Sequence, residues 1–121
     1  MHGFTQSIDK DNQFYRLRHY ALQALGRNDE AIDWIDRFIE LYPGDNESYY
    51  EKACIYFRMG DTDTALETLE LAIQEGFHDF VTIDIDTDWD SFRHDLRFLT
   101  LIETYKKKLQ NENDKANHAE L

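Results

Sequence analysis

Apolar residues return at intervals of three and four along most of this chain, and that period predicts amphipathic helices. Between Asn12 and Leu25 they are Phe14, Leu17, Tyr20, Ala21, Ala24 and Leu25, and Gly26 and Asn28 then break the pattern. It resumes with Ala31, Ile32, Trp34, Ile35, Phe38, Ile39 and Leu41 and stops at Pro43-Gly44. Proline cannot continue a helix, so the stop is firm. A third run holds Tyr49, Tyr50, Ala53, Cys54, Tyr56, Phe57 and Met59 and closes at Gly60-Asp61. A fourth holds Ala65, Leu66, Leu69, Ala72 and Ile73 and leaves through Gly76, with Asp61 or Thr62 as its cap. Short turns between such runs predict two antiparallel helical hairpins, over residues 12–42 and 46–75.

Beyond Gly76 the period changes. Phe77, Phe80, Val81, Ile83 and Ile85 sit among acidic and threonine residues, a composition open to a short strand or an extended linker. A lone strand in a helical chain has no pairing partner, so the linker is the expectation. Asp88 or Asp90 suits the cap of a short helix carrying Trp89 and Phe92. Asp95 suits the cap of a last helix, running from Leu96 through Phe98, Leu99, Ile102 and Tyr105 to about Leu109. The polar ends, residues 1–10 and 110–121, are expected to be loose.

The two hairpins are copies of one unit. An offset of 34 residues lays Tyr15 on Tyr49, Gly26 on Gly60, Ala31 on Ala65, Ile35 on Leu69 and Phe38 on Ala72. A glycine, an alanine and an aromatic in register across two hairpins identify an internal repeat.

Charge narrows the choice of partner. Acidic residues number 25 against 13 basic ones, a net charge of −12. That balance repels phosphate backbones and anionic membrane surfaces, so neither nucleic acid nor membrane is an expected partner. The densest basic run, Lys106-Lys107-Lys108, falls late in a helix, where cations suit the helix dipole. The start of the chain has no apolar stretch of the signal-peptide kind, and no run reaches transmembrane length, so a cytoplasmic setting is expected. Cys54 is the only cysteine, which excludes an internal disulfide and suits a buried thiol.

Catalytic and metal chemistry find little purchase. Asp84, Asp86, Asp88 and Asp90 alternate like the start of a calcium loop, but Trp89 stands where the turn glycine belongs and Asp95 where the bidentate glutamate belongs. The five histidines are scattered without ligand spacing. No glycine-rich phosphate loop or nucleophile elbow is present in the sequence. No catalytic residue, metal or cofactor is therefore expected.

With these residues in view, the chain resembles the tetratricopeptide-repeat family. Tyr49, Ala53, Tyr56, Gly60, Ala65, Leu69 and Ala72 look like that family's framework in the second copy. Tyr15, His19, Leu22, Gly26, Ala31, Ile35 and Phe38 match them in the first, with Pro43 at the interrepeat proline. His19 and Phe38 depart from the small residues usual there, and Phe77 replaces the second terminal proline. Asp88, Phe92, Arg93, Asp95 and Phe98 resemble the closing segment of some bacterial members. The resemblance implies an all-α fold, a right-handed superhelical stack of antiparallel hairpins in a single domain. Its parts would be repeats 12–45 and 46–79, a closing segment 80–109 and a loose tail 110–121.

The same resemblance implies a non-catalytic adaptor or scaffold that binds a protein or peptide in a concave groove. The groove positions carried over include Arg16, Tyr20, Gln23, Tyr50, Cys54, Phe57 and Arg58. Some members clamp a partner's terminal carboxylate. Arg16 and Arg58 are the equivalents here, while Tyr20 and Glu51 stand where the clamp has asparagine. An acidic or carboxylate-bearing partner is the expectation, and a homodimer through exposed solenoid faces is the alternative.

Overall fold

The computed structural model describes the backbone of residues 2–119 and the side chains of residues 13–116. Among the described residues six α-helices and one 3-10 helix follow one another: α1 (His2–Ala24), α2 (Asn28–Leu41), α3 (Asn46–Arg58), α4 (Thr62–Gln74), α5 (Phe80–Ile85), the 3-10 helix (Thr87–Phe92) and α6 (Leu96–Ala119). Among the described residues there is no strand. The protein is all-α. The chain divides into two compact units, residues 1–77 and 78–121.

In the first unit α1 packs on α2 and α3 on α4, and α2 also meets α3. The turns that reverse the chain are built alike. Arg27 N donates to the Leu22 carbonyl across Gly26 at 2.8 Å, and Asp61 N donates to the Tyr56 carbonyl across Gly60 at 3.0 Å. Both glycines have positive φ, 75° and 85°, the left-handed conformation that side chains resist. The repeated glycine in the sequence is thus a repeated helix stop.

The two hairpins fill their seams differently. Between α3 and α4, Ala53, Ala65 and Ala72 are wholly buried, so the helices meet through methyl groups beside Leu69 and Ile73. Between α1 and α2 Ala31 is the buried counterpart of Ala65, but His19 and Phe38 stand where Ala53 and Ala72 do. Tyr15 packs on Phe38 and Trp34 with ring centroids 5.7 and 5.1 Å apart, and Phe38 continues to Tyr42 at 4.8 Å. Ile55 of α3 joins Leu22, Ala31, Ile32 and Ile35 in one cluster, which ties the hairpins together. Each of the buried leucine and isoleucine side chains contributes about 1.5–3 kcal/mol by leaving water. Phe77, standing where the resemblance would put a proline, stacks face to face on Tyr50 at 4.4 Å.

The second unit corrects the expected linker. Residues 80–85 form α5 because Asp79 caps it: Oδ1 accepts from Thr82 N at 3.0 Å and Oδ2 from the Thr82 hydroxyl at 2.6 Å. Those two hydrogen bonds hold the Asp79 carboxyl below its ordinary pKa. The cap of the 3-10 helix is Asp86, and not Asp88 or Asp90; its Oδ1 accepts from Asp88 N at 3.0 Å. Arg93 then binds the end of α5 to the next turn, donating to the carbonyls of Ile83 and Asp86 and to the Asp90 carboxylate. Asp95 accepts from Arg97 N at 2.8 Å at the start of α6. Trp89 stacks on Phe98 at 5.5 Å, and Phe92 meets the same ring edge-on. Helix α1 begins at His2 and α6 runs to Ala119, through the ends whose polarity suggested looseness. No helix among the described residues is long and apolar enough to cross a membrane.

Candidate interaction site

Helices α1 and α3 present a connected line of polar side chains. On α1, the one-turn spacing of Arg16, His19, Tyr20 and Gln23 puts these four on one side of the helix. Glu47 and Glu51 have the same spacing on α3 and face them. Asp45, just before α3, completes the set.

Glu51 is the centre of this line. Its Oε1 accepts from the Tyr20 hydroxyl at 3.0 Å, its Oε2 lies 2.8 Å from His19 Nε2, and Arg16 Nη1 is 3.7 Å away. Arg16 also reaches Asp45 at 3.1 Å and Glu47 at 3.3 Å. On the other side of the imidazole, Gln23 Nε2 lies 3.0 Å from His19 Nδ1 and Arg58 donates to Gln23 Oε1. If Gln23 donates to Nδ1, the neutral ring carries its proton on Nε2, toward Glu51. The contact is close but poorly aligned, and the buried Nε2 has no well-directed hydrogen bond. The imidazole therefore meets the carboxylate mainly through charge and dipole. Beside the pair is a cavity of only about 10 Å³, bordered by Tyr15, Phe38 and Ser48, room for one water and no ligand.

The electrostatics lock both acids. Burial alone would push the Glu51 carboxyl up, but His19, the Tyr20 hydroxyl and the Arg16 charge outweigh it and hold it below its ordinary 4.5. Tyr20 moves the other way, pushed up to about 12 by burial first and then by the Glu51 charge. Acid–base catalysis uses groups whose pKa lies near the working pH. These two move away from neutrality in opposite directions. The arrangement is suited to holding helices together and presenting polar edges, and not to moving a proton.

A family model described as tetratricopeptide repeat matches residues 34–67, from the middle of α2 through α3 into α4. A tetratricopeptide-repeat motif is present. The chain is also 27% identical over 90 residues to a chloroplastic protein of Arabidopsis thaliana. That alignment takes in 72% of this chain and 27% of the relative, so the chain spans about a quarter of that protein's length. No solved structure matches the chain. These likenesses support a helical module of the protein-interaction kind.

The seven groove residues expected from the sequence divide into three groups. Arg16, Tyr20, Gln23 and Arg58 come together in the polar line, with Tyr20 and Arg58 exposed. Phe57 is half-buried on α3. Tyr50 and Cys54 are buried, 6% and 2% exposed, as expected of the Cys54 thiol. Aromatic and thiol side chains serve a core as readily as a groove, and the sequence pattern does not separate the two roles.

His19 and Glu51, the pair on which the line turns, were not among the expected groove residues. A signal for them existed. His19 stands where the resemblance puts a small residue and Glu51 where it puts an asparagine, and two departures facing each other across neighbouring helices are complementary. The alternating aspartates go to separate tasks. Asp84 pairs with Lys106, Asp86 caps a helix and Asp90 pairs with Arg93.

Proposed function

We propose that the chain is a protein- or peptide-binding adaptor of the tetratricopeptide-repeat kind, whose helical hairpins form a right-handed stack. Its partner segment lies along the face shared by α1 and α3. The observation that carries this reading is the polar line itself: Arg16, Tyr20, Gln23 and Arg58 reach the surface from two neighbouring helices. Tyrosine and arginine combine apolar area with directed hydrogen bonds, which favours them in binding hot spots.

A carboxylate-bearing partner would have to compete for Arg16. Arg16 already meets three carboxylates, of which Glu47 is the most exposed at 60% of its side chain. A partner carboxylate would take the place of Glu47 on Arg16 Nη1, exchanging one ion pair for another. Net affinity must then come largely from Tyr20, Phe57 and Arg58. A peptide array with free and amidated C-termini, followed by fluorescence anisotropy on its hits, tests the reading. Arg58→Glu and Tyr20→Ala should each weaken those hits by about tenfold, the size of a modest hot spot. Hits that bind both variants as they bind the native chain would move the binding face elsewhere.

A further inference from the structure

The opposite side of α1 carries a second surface. At 100° per residue, Phe14, Leu17, Ala21 and Leu25 lie on a stripe turned about 140° from Arg16, Tyr20 and Gln23. Their large side chains are open to solvent: Phe14 is 53% exposed, Leu17 69% and Leu25 69%. With Leu22, Arg18 and Arg27 they line a groove of about 330 Å³. The stripe spans roughly three helical turns, about 16 Å, the length over which one helix packs on another. Apolar area this contiguous is unusual on a surface without a partner.

The charges around the groove say what fits it. Residues 13–24 contain no acidic residue, in a chain of net charge −12, and of their two arginines Arg18 borders the groove while Arg16 lies on the other side of α1. The Arg18 guanidinium lies over the Trp34 ring at 4.8 Å, and Arg37 lies over the same ring at 5.4 Å. Neither has a carboxylate partner among the described residues. Arg27, at the end of the groove, is paired with Glu30. Two open guanidiniums beside an apolar stripe complement acidic side chains flanking an apolar ridge. A second copy of this chain fits worse. Laying α1 on its twin would bring the Arg18 side chains of both copies to one seam, with no acid from either 13–24 segment to answer them.

We propose that the outer face of α1 docks an amphipathic helix of another protein, with an aliphatic ridge over Leu17, Ala21 and Leu25 and glutamate or aspartate flanks beside Arg18 and Arg37. This site is separate from the α1–α3 face and stands or falls independently of it.

Two synthetic helical peptides of fourteen residues test it on the full chain, both with leucine at every third and fourth position, one flanked by glutamate and the other by lysine. The acidic peptide should bind about tenfold tighter at low salt, and the preference should shrink at high salt as the charges are screened. Arg18→Glu should invert the preference, and the exposed double substitution Leu17→Asp, Leu25→Asp should abolish binding of both peptides, with circular dichroism unchanged. Equal binding of the two peptides, or binding untouched by Leu17→Asp, Leu25→Asp, would overturn the proposal. So would loss of acidic-peptide binding in Arg58→Glu alone, which reports on the other face. Sedimentation over a concentration series supplies the remaining outcome: a dimer dissolved by Leu17→Asp, Leu25→Asp would show that a second copy covers the stripe and would sink the hetero-partner assignment.

Discussion

The α1–α2 and α3–α4 hairpins share one spacing and one turn, yet they close on different materials. The second closes on alanines: Ala53, Ala65 and Ala72 have no exposed surface, and α3 and α4 pack more extensively than α1 and α2. The first has His19 opposite Ala53 in the repeat and Phe38 opposite Ala72. It compensates by surrounding Phe38 with Tyr15 and Tyr42 and by setting His19 against Glu51 of the next hairpin. Methyl groups give close approach and nothing else. Larger groups need partners of their own: His19 and Phe38 are both buried, and the partner of His19 lies on the neighbouring helix α3. The polar line of the candidate site thus joins α1 of the less regular hairpin to α3 of the other.

Exchanging the seam residues is the harshest way to break this comparison. Ala53→His should cost about 2–5 kcal/mol, since the imidazole overfills a closed seam and finds no partner for its nitrogens. The reverse change, His19→Ala, should cost less, about 1–3 kcal/mol, because the site is looser and Glu51 keeps Tyr20 and Arg16. Urea unfolding of both variants checks the order. An equal loss would mean that the two seams are equally tight.

Coupling across the polar line is the next test. A double-mutant cycle on His19→Ala and Glu51→Ala should return an interaction of about 1–2 kcal/mol, since the groups touch and share neighbours. The pH dependence has a definite sign. Glu51 is held below its ordinary 4.5 in the folded chain, so the unfolded chain binds more protons just below that pH. Its contribution is complete above about 4.5 and is lost as pH falls through the folded value. Glu51→Gln should remove this part of the acid slope in thermal unfolding curves.

The helix starts differ as well. Asp61 caps α4 by accepting from Thr64 N, whereas Arg27 at the corresponding place gives α2 no side-chain cap. Asp61→Ala should cost about 1 kcal/mol. Arg27→Asp should stabilise α2 by a smaller amount, about 0.5 kcal/mol, because a new cap gains more than the exposed pair with Glu30 loses. Melting temperatures moving in opposite directions would sharpen the contrast between the hairpins.

The smallest effect is spectroscopic. Tyr20 is pushed up to about 12, first by burial and then by Glu51, so one phenol should ionise late in an alkaline absorbance titration. A raised pKa favours the neutral form on folding, so this contribution is present below the ordinary 10.0 and lost as pH rises toward 12. Tyr20→Phe should remove the late step and leave the rest of the curve in place.

Helices α2, α3 and α4, and the glycine stops after α1, α3 and α4, were legible in the sequence because their causes are local. Period, cap and positive-φ glycine are all set by residues within a turn or two of one another. Helix α5 was legible in principle, since Asp79 and Thr82 are a local capping pair, but the alternating apolar residues after Gly76 resemble an extended segment and hide it. The site divides along the same line. Arg16, Tyr20 and Gln23 share a helix face by spacing alone, so the sequence places them together.

The sequence by itself determined where the chain turns helical over α2, α3 and α4, where those helices stop, and which positions repeat after 34 residues. Only the tertiary structure decided that Tyr50 is buried on Phe77 and that His19 finds Glu51. Those outcomes depend on which side chain from a distant stretch of chain arrives at a given place. An aromatic ring or an imidazole accepts core and surface almost equally, so its own residue type does not choose between them. The choice is made by the partner, and the partner comes from the packing of one helix against another.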